Sequence, residues 1–219
     1  MTQVTDRLAG IYLLTPDFDS RRSDTVFDIV QQSLDAGVLA IQYRDKSATA
    51  TQRLDRARRL AAMTRATGAL LIVNDSIEIA SDSGADGVHI GREDGDVAAA
   101  RRRLPHHLLG VSCYNELELA RAAVLAGADA IAFGSIYSSV TKPHAVRAPL
   151  SLLSEARAAW PQQRIIAIGG INAGNIGDIA AAGADAAAVM DAIFGAENPA
   201  SAVRELIRQF DEGKGRSQT

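Results

Sequence analysis

Residues 127–133 read Gly-Ala-Asp-Ala-Ile-Ala-Phe, a turn of small residues followed at once by a short apolar run. A similar arrangement occurs four times, each time after an alanine-rich pattern typical of a helix, and the turns lie at 36–38, 84–86, 127–129 and 183–185. Each glycine is the left-handed residue expected at the end of a helix. The spacing of about 45 residues is close to two strand-helix units, so four occurrences indicate eight units.

Eight short apolar segments predict the strands of the fold. Most are continuous apolar runs, as expected for strands covered on both faces, and they lie at 11–15, 39–44, 70–74, 87–90, 108–112, 130–133, 164–168 and 186–190. Helical patterns lie at 24–36, 49–67, 77–83, 97–103, 116–126, 150–159, 175–182 and 199–209. This alternation predicts a parallel sheet with crossover helices.

The number of units favours one of two parallel architectures. Eight units in about 200 residues fit a closed (β/α)8 TIM barrel, so we predict an α/β protein whose single domain spans residues 1–210. An open doubly wound sheet is the alternative, but no Gly-x-Gly-x-x-Gly follows the first strand. The polar segment 211–219 is predicted to be a disordered tail.

Composition narrows the class of protein. The net charge of −3 provides no general attraction to nucleic acid or anionic lipid, and 5% aromatic residues leave few platforms for stacking bases. The single cysteine excludes an intrachain disulfide and a Cys-x-x-Cys metal site. No apolar run has the length of a membrane span, and the N-terminus lacks the apolar core of a signal peptide. We expect a cytoplasmic protein without nucleic-acid or membrane partners. The sequence leaves open whether it forms a homo-oligomer.

Polar side chains alternate at the end of the second predicted strand. Gln42, Arg44 and Lys46 occupy every second position, so they share one face of the strand. If that face points into a barrel, two cations are carried inward, and they require an anion such as a phosphate or diphosphate. The alternative is an exposed edge strand with solvated charges.

Other predicted strands also end in polar or glycine residues, and the carboxyl ends of barrel strands carry the active site. The candidates after strands three to five are Asn74, Asp75, Asp94 and Ser112. A long loop at 135–149, a candidate lid over the carboxyl face, contributes Ser139, Thr141 and Lys142. Strands seven and eight lead into Gly169, Gly170, Met190 and Asp191.

Two carboxylates and a glycine pair suggest specific ligands. Asp75 and Asp94 follow neighbouring strands and suit one Mg²⁺, which takes one or two protein carboxylates together with substrate phosphate and water. The sequence leaves open that both instead cap helices, most clearly Asp75. Gly169-Gly170 follows strand seven, where barrels commonly bind phosphate through backbone N–H groups.

Three further residues have plainer interpretations. His89 lies within a predicted strand and is interpreted as a hydrogen-bonded core residue. Ser112 has no visible Ser-His-Asp context, so we predict a phosphate contact and not a nucleophile. Cys113 has no neighbouring activating group and is interpreted as a small buried hydrophobe.

Together these motifs resemble the thiamine-phosphate synthase family over nearly the whole chain, from about residue 12 to residue 207. Six segments carry the resemblance in chain order: 42–46, 74–75, 87–94, 110–112, 141–142 and 168–171. Each motif alone is weak, but six in order at predicted strand ends are specific.

The resemblance implies an enzyme that joins a pyrimidine diphosphate to a thiazole phosphate, giving thiamine phosphate and diphosphate. It implies that diphosphate departs from a pyrimidine-stabilised cation before the thiazole nitrogen attacks. Catalytic roles would fall to Arg44, Lys46, Lys142 and Ser112, and Mg²⁺ would bind Asp75 and Asp94. The implied substrate contacts are Gln42, Arg44, Lys46, Asn74, Ser112, Ser139, Thr141, Lys142, Gly169, Gly170, Met190 and Asp191.

The chain departs from the family pattern at a few positions. Ser135 and Ser138 stand where the family commonly has proline, and Ser139 stands in place of a common threonine. Asp191 replaces a serine beside the expected thiazole phosphate, and a carboxylate there would repel that phosphate unless it points away or caps a helix.

Two other functions stay open from the sequence. A related thiazole tautomerase uses the same barrel without the diphosphate and magnesium residues, but its histidine base would fall near Ser135, which cannot act as a base. A noncatalytic barrel that binds thiamine intermediates as a sensor or interaction protein is the second rival.

Overall fold

Eight parallel strands close into a barrel in the order in which they occur in the chain. The computed structural model describes residues 4–18, 23–138 and 146–216. The strands are β1 Gly10–Leu14, β2 Ala40–Tyr43, β3 Leu70–Asn74, β4 Gly87–Ile90, β5 Leu108–Tyr114, β6 Ala130–Gly134, β7 Arg164–Ile168 and β8 Ala186–Val189. The predicted TIM barrel is confirmed, and the open doubly wound sheet is excluded because β1 pairs with β8.

Helices surround the barrel, and a short 3-10 helix, Val4–Arg7, precedes β1. They are α1 Ser23–Asp35, α2 Ala50–Thr67, α3 Ile77–Ser83, α4 Val97–Arg103, α5 Leu117–Leu125, α6 Ser151–Ala159, α7 Ile176–Ala181, α8 Asp191–Phe194 and α9 Pro199–Arg216. The sequence did not predict α8 as a separate helix. Among the described helices, none has both the length and the apolar character needed to cross a membrane.

Alternation along each strand divides the core into two layers. One set of side chains fills the barrel interior, including Tyr12, Ala40 and Ile72. The opposite set, such as Leu13 and Ile41, packs between the strands and the helices. Along each strand, later residues on the inward-pointing face lie nearer the carboxyl rim of the barrel. This explains why the candidate site residues occur at the strand ends.

The repeated turns form three hydrogen-bonded clamps at the amino ends of the strands. In each one an aspartate donates its N–H to a strand carbonyl, and its carboxylate accepts the N–H of that same residue, every bond being 2.8 Å long. These aspartate clamps pair Asp86 with Leu71, Asp129 with Leu109 and Asp185 with Ile165. When the glycines of the turns are aligned, Gly37-Val38-Leu39 matches Gly84-Ala85-Asp86. Leu39, which is 45% exposed, therefore stands where the other turns have aspartate.

The C-terminal segment corrects one expectation. Helix α9 continues through Arg216, so the disordered tail predicted from Asp211 is wrong for residues 211–216. Phe210 and Gly213 are buried on this helix, and Lys214 lies 5.1 Å from the Phe210 ring. A Cβ at Gly213 would overlap the Gly177 carbonyl oxygen, so this glycine permits the close approach of α9 to α7. Residues 217–219 lie outside the described residues.

Candidate functional site

The segment after β2 is held against the segment after β1. Thr15 Oγ1 donates to the carbonyl of Arg44 and accepts its N–H, both at 3.0 Å. Asp17 Oδ1 lies 3.3 Å from Arg44 Nη1 and accepts the Lys46 N–H at 2.8 Å. Inside the barrel, Gln42 is 5% exposed and donates to the hydroxyl of Tyr12 at 3.2 Å. Because β2 lies between β1 and β3 in a closed barrel, the edge-strand alternative is wrong.

A buried ion pair fixes the same segment from the helix side. Asp45 has a fully buried side chain, and its Oδ2 lies 2.5 Å from Arg56 Nη1 on α2. The other carboxylate oxygen accepts the N–H and the hydroxyl of Ser47 at 3.2 and 3.0 Å. Arg44 and Lys46 flank Asp45 in the chain, so this pair sets the backbone position from which both cations project.

The two candidate metal ligands do not serve as helix caps. Ser76 caps α3 by accepting the Ile79 N–H, and Asp96 caps α4 by accepting the Ala99 N–H. Asp75 adopts a left-handed backbone with φ 68°, and its N–H donates to a strand carbonyl, that of His89, at 2.8 Å. The cap interpretation of Asp75 and Asp94 is therefore wrong, and the carboxylates face other partners.

The electrostatics around Asp75 suit a divalent cation. Burial raises the pKa of the Asp75 carboxyl, the neighbouring Asp94 raises it further, and the cations Lys46 and Arg44 oppose both effects. Lys46 Nζ lies 3.8 Å from Asp75 Oδ2. Two adjacent carboxylates repel each other, and Mg²⁺ would remove that cost. In the part of the chain that the structure describes, no group of three or more acidic, His or Cys side chains is placed to hold a metal ion, and Mg²⁺ does not need three.

A histidine lies inside the barrel beneath Ser112. His89 on β4 is 5% exposed, and its Nε2 lies 2.9 Å from Ser112 Oγ on β5. Burial lowers the pKa of His89 to about 4, so the imidazole is neutral at neutral pH. A Cβ at Gly110 would lie 2.5 Å from His89 Nδ1, so the ring occupies the space that this glycine leaves. The prediction of a hydrogen-bonded core histidine is confirmed, and its partner is a candidate substrate ligand.

The glycine pair after β7 supports the loop that follows β6. Gly169 and Gly170 have positive φ values of 107° and 60°, and a Cβ at either would overlap atoms of Ser135 or Ser138. The Tyr137 N–H donates to the Gly169 carbonyl at 3.0 Å. Close approach of two loops is thus a structural reason for these glycines, beside the predicted contact with phosphate.

The flanks of the candidate lid are joined to each other. Ser135 donates its N–H to the Val146 carbonyl at 2.9 Å and accepts the Ala148 N–H at 3.0 Å. Arg147 donates to Ser138 Oγ and to the Ile136 carbonyl, both at 2.7 Å. The predicted ligands between these flanks lie outside the described residues: Ser139, Thr141 and Lys142.

The residues predicted after β8 lie at the same rim. Met190 follows the last residue of the strand and precedes α8. Asp191 is the exposed first residue of that four-residue helix. The described candidates thus fall into two groups, one at the carboxyl ends of β2 to β5 and the other after β7 and β8.

Comparison with known proteins assigns the chain to a family. A sequence model described as thiamine monophosphate synthase matches residues 11–193. The chain belongs to the thiamine monophosphate synthase family. A thiamine-phosphate synthase of Chromobacterium violaceum is 50% identical over 93% of this chain and 97% of the relative. Another, of Halorhodospira halophila, is 44% identical over 98% of this chain and all of the relative.

A solved structure agrees with this assignment. The thiamine phosphate pyrophosphorylase of Pyrococcus furiosus superimposes with a TM-score of 0.86 and 31% identity, covering 96% of this chain and 99% of the other. Membership of the thiamine monophosphate synthase family confirms the resemblance found in the sequence. It also confirms the prediction of a transferase of thiamine biosynthesis.

Several positioning contacts in this family member were missed in the sequence. Thr15 and Asp17 directly follow β1, so inspection of the first strand end, as of the others, would have found them. No local signal marks Arg56, which reaches Asp45 from the next helix. Cys113 is fully buried as predicted, and burial raises the pKa of its thiol to about 12.

Proposed function

We propose that the protein condenses 4-amino-5-hydroxymethyl-2-methylpyrimidine diphosphate with 4-methyl-5-(2-phosphooxyethyl)thiazole, releasing diphosphate and forming thiamine phosphate. The observation that carries the proposal is the position of Asp75, whose carboxylate lies 3.8 Å from Lys46 and beside Asp94. Cations for a diphosphate and carboxylates for its metal thus meet at one barrel rim, as this substrate requires.

The bond changes require charge stabilisation more than proton transfer. The C–O bond between the pyrimidine methylene and the diphosphate breaks, and the diphosphate keeps the electron pair. The thiazole nitrogen then donates its lone pair to the methylene cation and forms the new C–N bond. That nitrogen carries no proton, so no general base is needed, and the main requirement is to stabilise the leaving diphosphate.

The chain's own groups meet that requirement at the β2 to β5 ends. Arg44 and Lys46 would donate to diphosphate oxygens, with the backbone of both residues fixed through Thr15 and Asp17. Ser112 would add its hydroxyl. Lys142, in the loop after β6, is proposed as the third cation. Asp75 and Asp94 would hold Mg²⁺, which supplies further positive charge to the leaving group when bound.

The second group of residues is proposed to bind the thiazole phosphate. Gly169 and Gly170 present backbone beside the loop after β6, and Met190 and Asp191 follow β8. Gln42 and Asn74 are instead proposed to contact the pyrimidine diphosphate, and Ser139 and Thr141 complete the proposed substrate contacts. Holding the two substrates at adjacent parts of one rim aligns the thiazole nitrogen with the methylene carbon. The expected cytoplasmic location and a homo-oligomer stay predictions.

Turnover with both purified substrates and saturating Mg²⁺ tests the proposal. We expect thiamine phosphate and diphosphate in equal amounts. Isomerisation of a thiazole phosphate without Mg²⁺ would favour a tautomerase. Binding of both substrates by folded protein without product would favour a noncatalytic barrel, and either result would overturn the proposal.

A matched pair of variants tests the metal site. Asp94→Asn keeps an acceptor for the Gly91 N–H but removes the carboxylate charge. We expect turnover to fall at least tenfold and the Mg²⁺ requirement to rise. The neighbouring exposed Glu93 is the control, and Glu93→Gln should match the parent. Equal Mg²⁺ dependence in both variants would remove Asp94 from the metal site.

A further inference from the structure

The imidazole of His89 has one hydrogen-bonded nitrogen and one orphan nitrogen. Nε2 lies 2.9 Å from Ser112 Oγ. Nδ1 is buried and has no hydrogen-bond partner among the described residues, and it lies against Gly110, where a Cβ would be only 2.5 Å away. The two nitrogens therefore have different surroundings, and these decide which one carries the proton of the neutral ring.

Among buried backbone groups, N–H donors without an acceptor are rarer than under-satisfied carbonyl acceptors, and the same preference disfavours an unpaired N–H on the ring. Placing the proton on Nδ1 would bury an N–H without an acceptor. Placing it on Nε2 instead directs the N–H at Ser112 Oγ and leaves only a lone pair at the orphan position. The surroundings of Nδ1 thus select the Nε2–H tautomer, and a protonated ring would also donate from Nε2.

We propose that His89 is a positioning residue that donates its Nε2–H to Ser112 Oγ and thereby turns the serine hydroxyl hydrogen toward the substrate diphosphate. A hydroxyl has one proton, and once its oxygen accepts from His89 that proton is free to be donated to another acceptor. In the opposite arrangement Ser112 would donate to His89 and present only lone pairs to an anion. The inference rests on the proposed function, because it assumes that Ser112 faces a diphosphate.

The same histidine also connects Ser112 to the candidate metal site. Its backbone carbonyl accepts the Asp75 N–H at 2.8 Å, while its side chain contacts Ser112. One strand position thus supports two groups, Ser112, which is proposed to contact the diphosphate, and Asp75, which is proposed to hold its Mg²⁺. Replacing only the side chain tests the hydroxyl contact and leaves the backbone bond to Asp75 in place.

Two substitutions of His89 separate donation to Ser112 from simple filling of space. In His89→Gln the side-chain amide nitrogen can take the place of Nε2, whereas the shorter His89→Asn carries its amide at the position of Nδ1 and does not reach Ser112. We expect kcat/KM for the pyrimidine diphosphate to fall about tenfold in His89→Asn, about 1.4 kcal/mol. His89→Gln should stay within about threefold of the parent.

A double-mutant cycle with Ser112→Ala provides the decisive comparison. We expect Ser112→Ala to lower kcat/KM about as much as His89→Asn, and the double variant to be no worse than Ser112→Ala alone. If the two losses multiply, His89 acts independently of Ser112, and the inference is overturned. Parent-like kinetics of His89→Asn would overturn it as well.

Binding of inorganic diphosphate with Mg²⁺, measured by calorimetry on the same proteins, separates this inference from the proposed function. If the parent forms no thiamine phosphate, the proposed function fails, but the cycle can still be read from diphosphate affinity. Circular dichroism and urea unfolding of each variant identify any loss that comes from misfolding. A cycle without coupling in diphosphate affinity among folded variants would also overturn the role of His89.

Discussion

Replacing Arg56 by methionine tests how the cationic segment after β2 is held. Methionine keeps an apolar stem near Phe18, whose ring centre lies 5.2 Å from the Arg56 guanidinium carbon. The substitution removes the cation that pairs with the fully buried Asp45 carboxylate. Asp45 would then keep the two bonds from Ser47.

The size of the effect follows from burial. Removing one partner of a buried ion pair typically destabilises a protein by about 3–5 kcal/mol. Since the Arg56 side chain is 14% exposed and Ser47 still donates two hydrogen bonds, we expect the lower limit, about 3 kcal/mol of unfolding free energy. For a chain of this size that is a decrease in Tm of about 6–12 °C.

Urea unfolding at neutral pH, followed by circular dichroism, measures this loss. The matched control is Arg59→Met on the same helix, because Arg59 pairs with Asp24 at 3.3 Å through side chains that are 53% and 86% exposed. Exposed pairs contribute about 0–1 kcal/mol. An Arg56→Met loss no larger than the control would refute the reasoning. Adding Asp45→Asn to Arg56→Met should recover stability, because it removes the unpaired buried charge.

Three further predictions concern the site. Arg44→Lys keeps the charge but loses the planar fork, so kcat/KM should fall at least tenfold, about 1.4 kcal/mol; parent-like kinetics would leave Arg44 only its structural contact with Asp17. Because burial raises the pKa of Asp75 in the folded, metal-free protein, its contribution to stability is full below the unfolded-state pKa and is lost as pH rises through the folded-state pKa. Urea unfolding in EDTA should show this loss in the parent and not in Asp75→Asn, and parallel pH profiles would contradict it. Asp191→Ser should lower the KM for thiazole phosphate but not that for the pyrimidine diphosphate; equal constants would show that Asp191 points away.

Most strands were predictable because both of their faces are covered and are therefore mainly apolar. A run such as 164–168 between two helical patterns has few other interpretations, and β7 begins and ends where the sequence predicts. The end of α9 was not predictable in the same way. In the sequence, Gly213 is one of the residues that make segment 211–219 look like a flexible tail. In the fold, it permits the close contact with Gly177 along which the helix continues.

The candidate site was predictable to the extent that topology alone brings residues together. Once a barrel is assumed, Arg44, Asp75 and Asp94 must lie at one rim. Helix caps were not resolved by the sequence, since Ser76 competes with the adjacent Asp75 and only the backbone geometry shows which one accepts the N–H of the first turn. Contacts such as Arg56 with Asp45 depend on how a helix lies against its strand, which no local pattern specifies.

Each repeated turn leads into a strand that pairs with the preceding strand of the chain, and one of these four strand pairs lacks an aspartate clamp. The clamps join β3 to β4, β5 to β6 and β7 to β8, whereas Leu39 stands at the equivalent place between β1 and β2. Among these four strand pairs, we expect β1 and β2 to separate most readily at their amino ends, with the fastest amide exchange there. The other end of the same strand pair is closed by Thr15 and Asp17 on the backbone of Arg44 and Lys46. The contacts that place the cations for chemistry would then also be what keeps this unclamped pair of strands together.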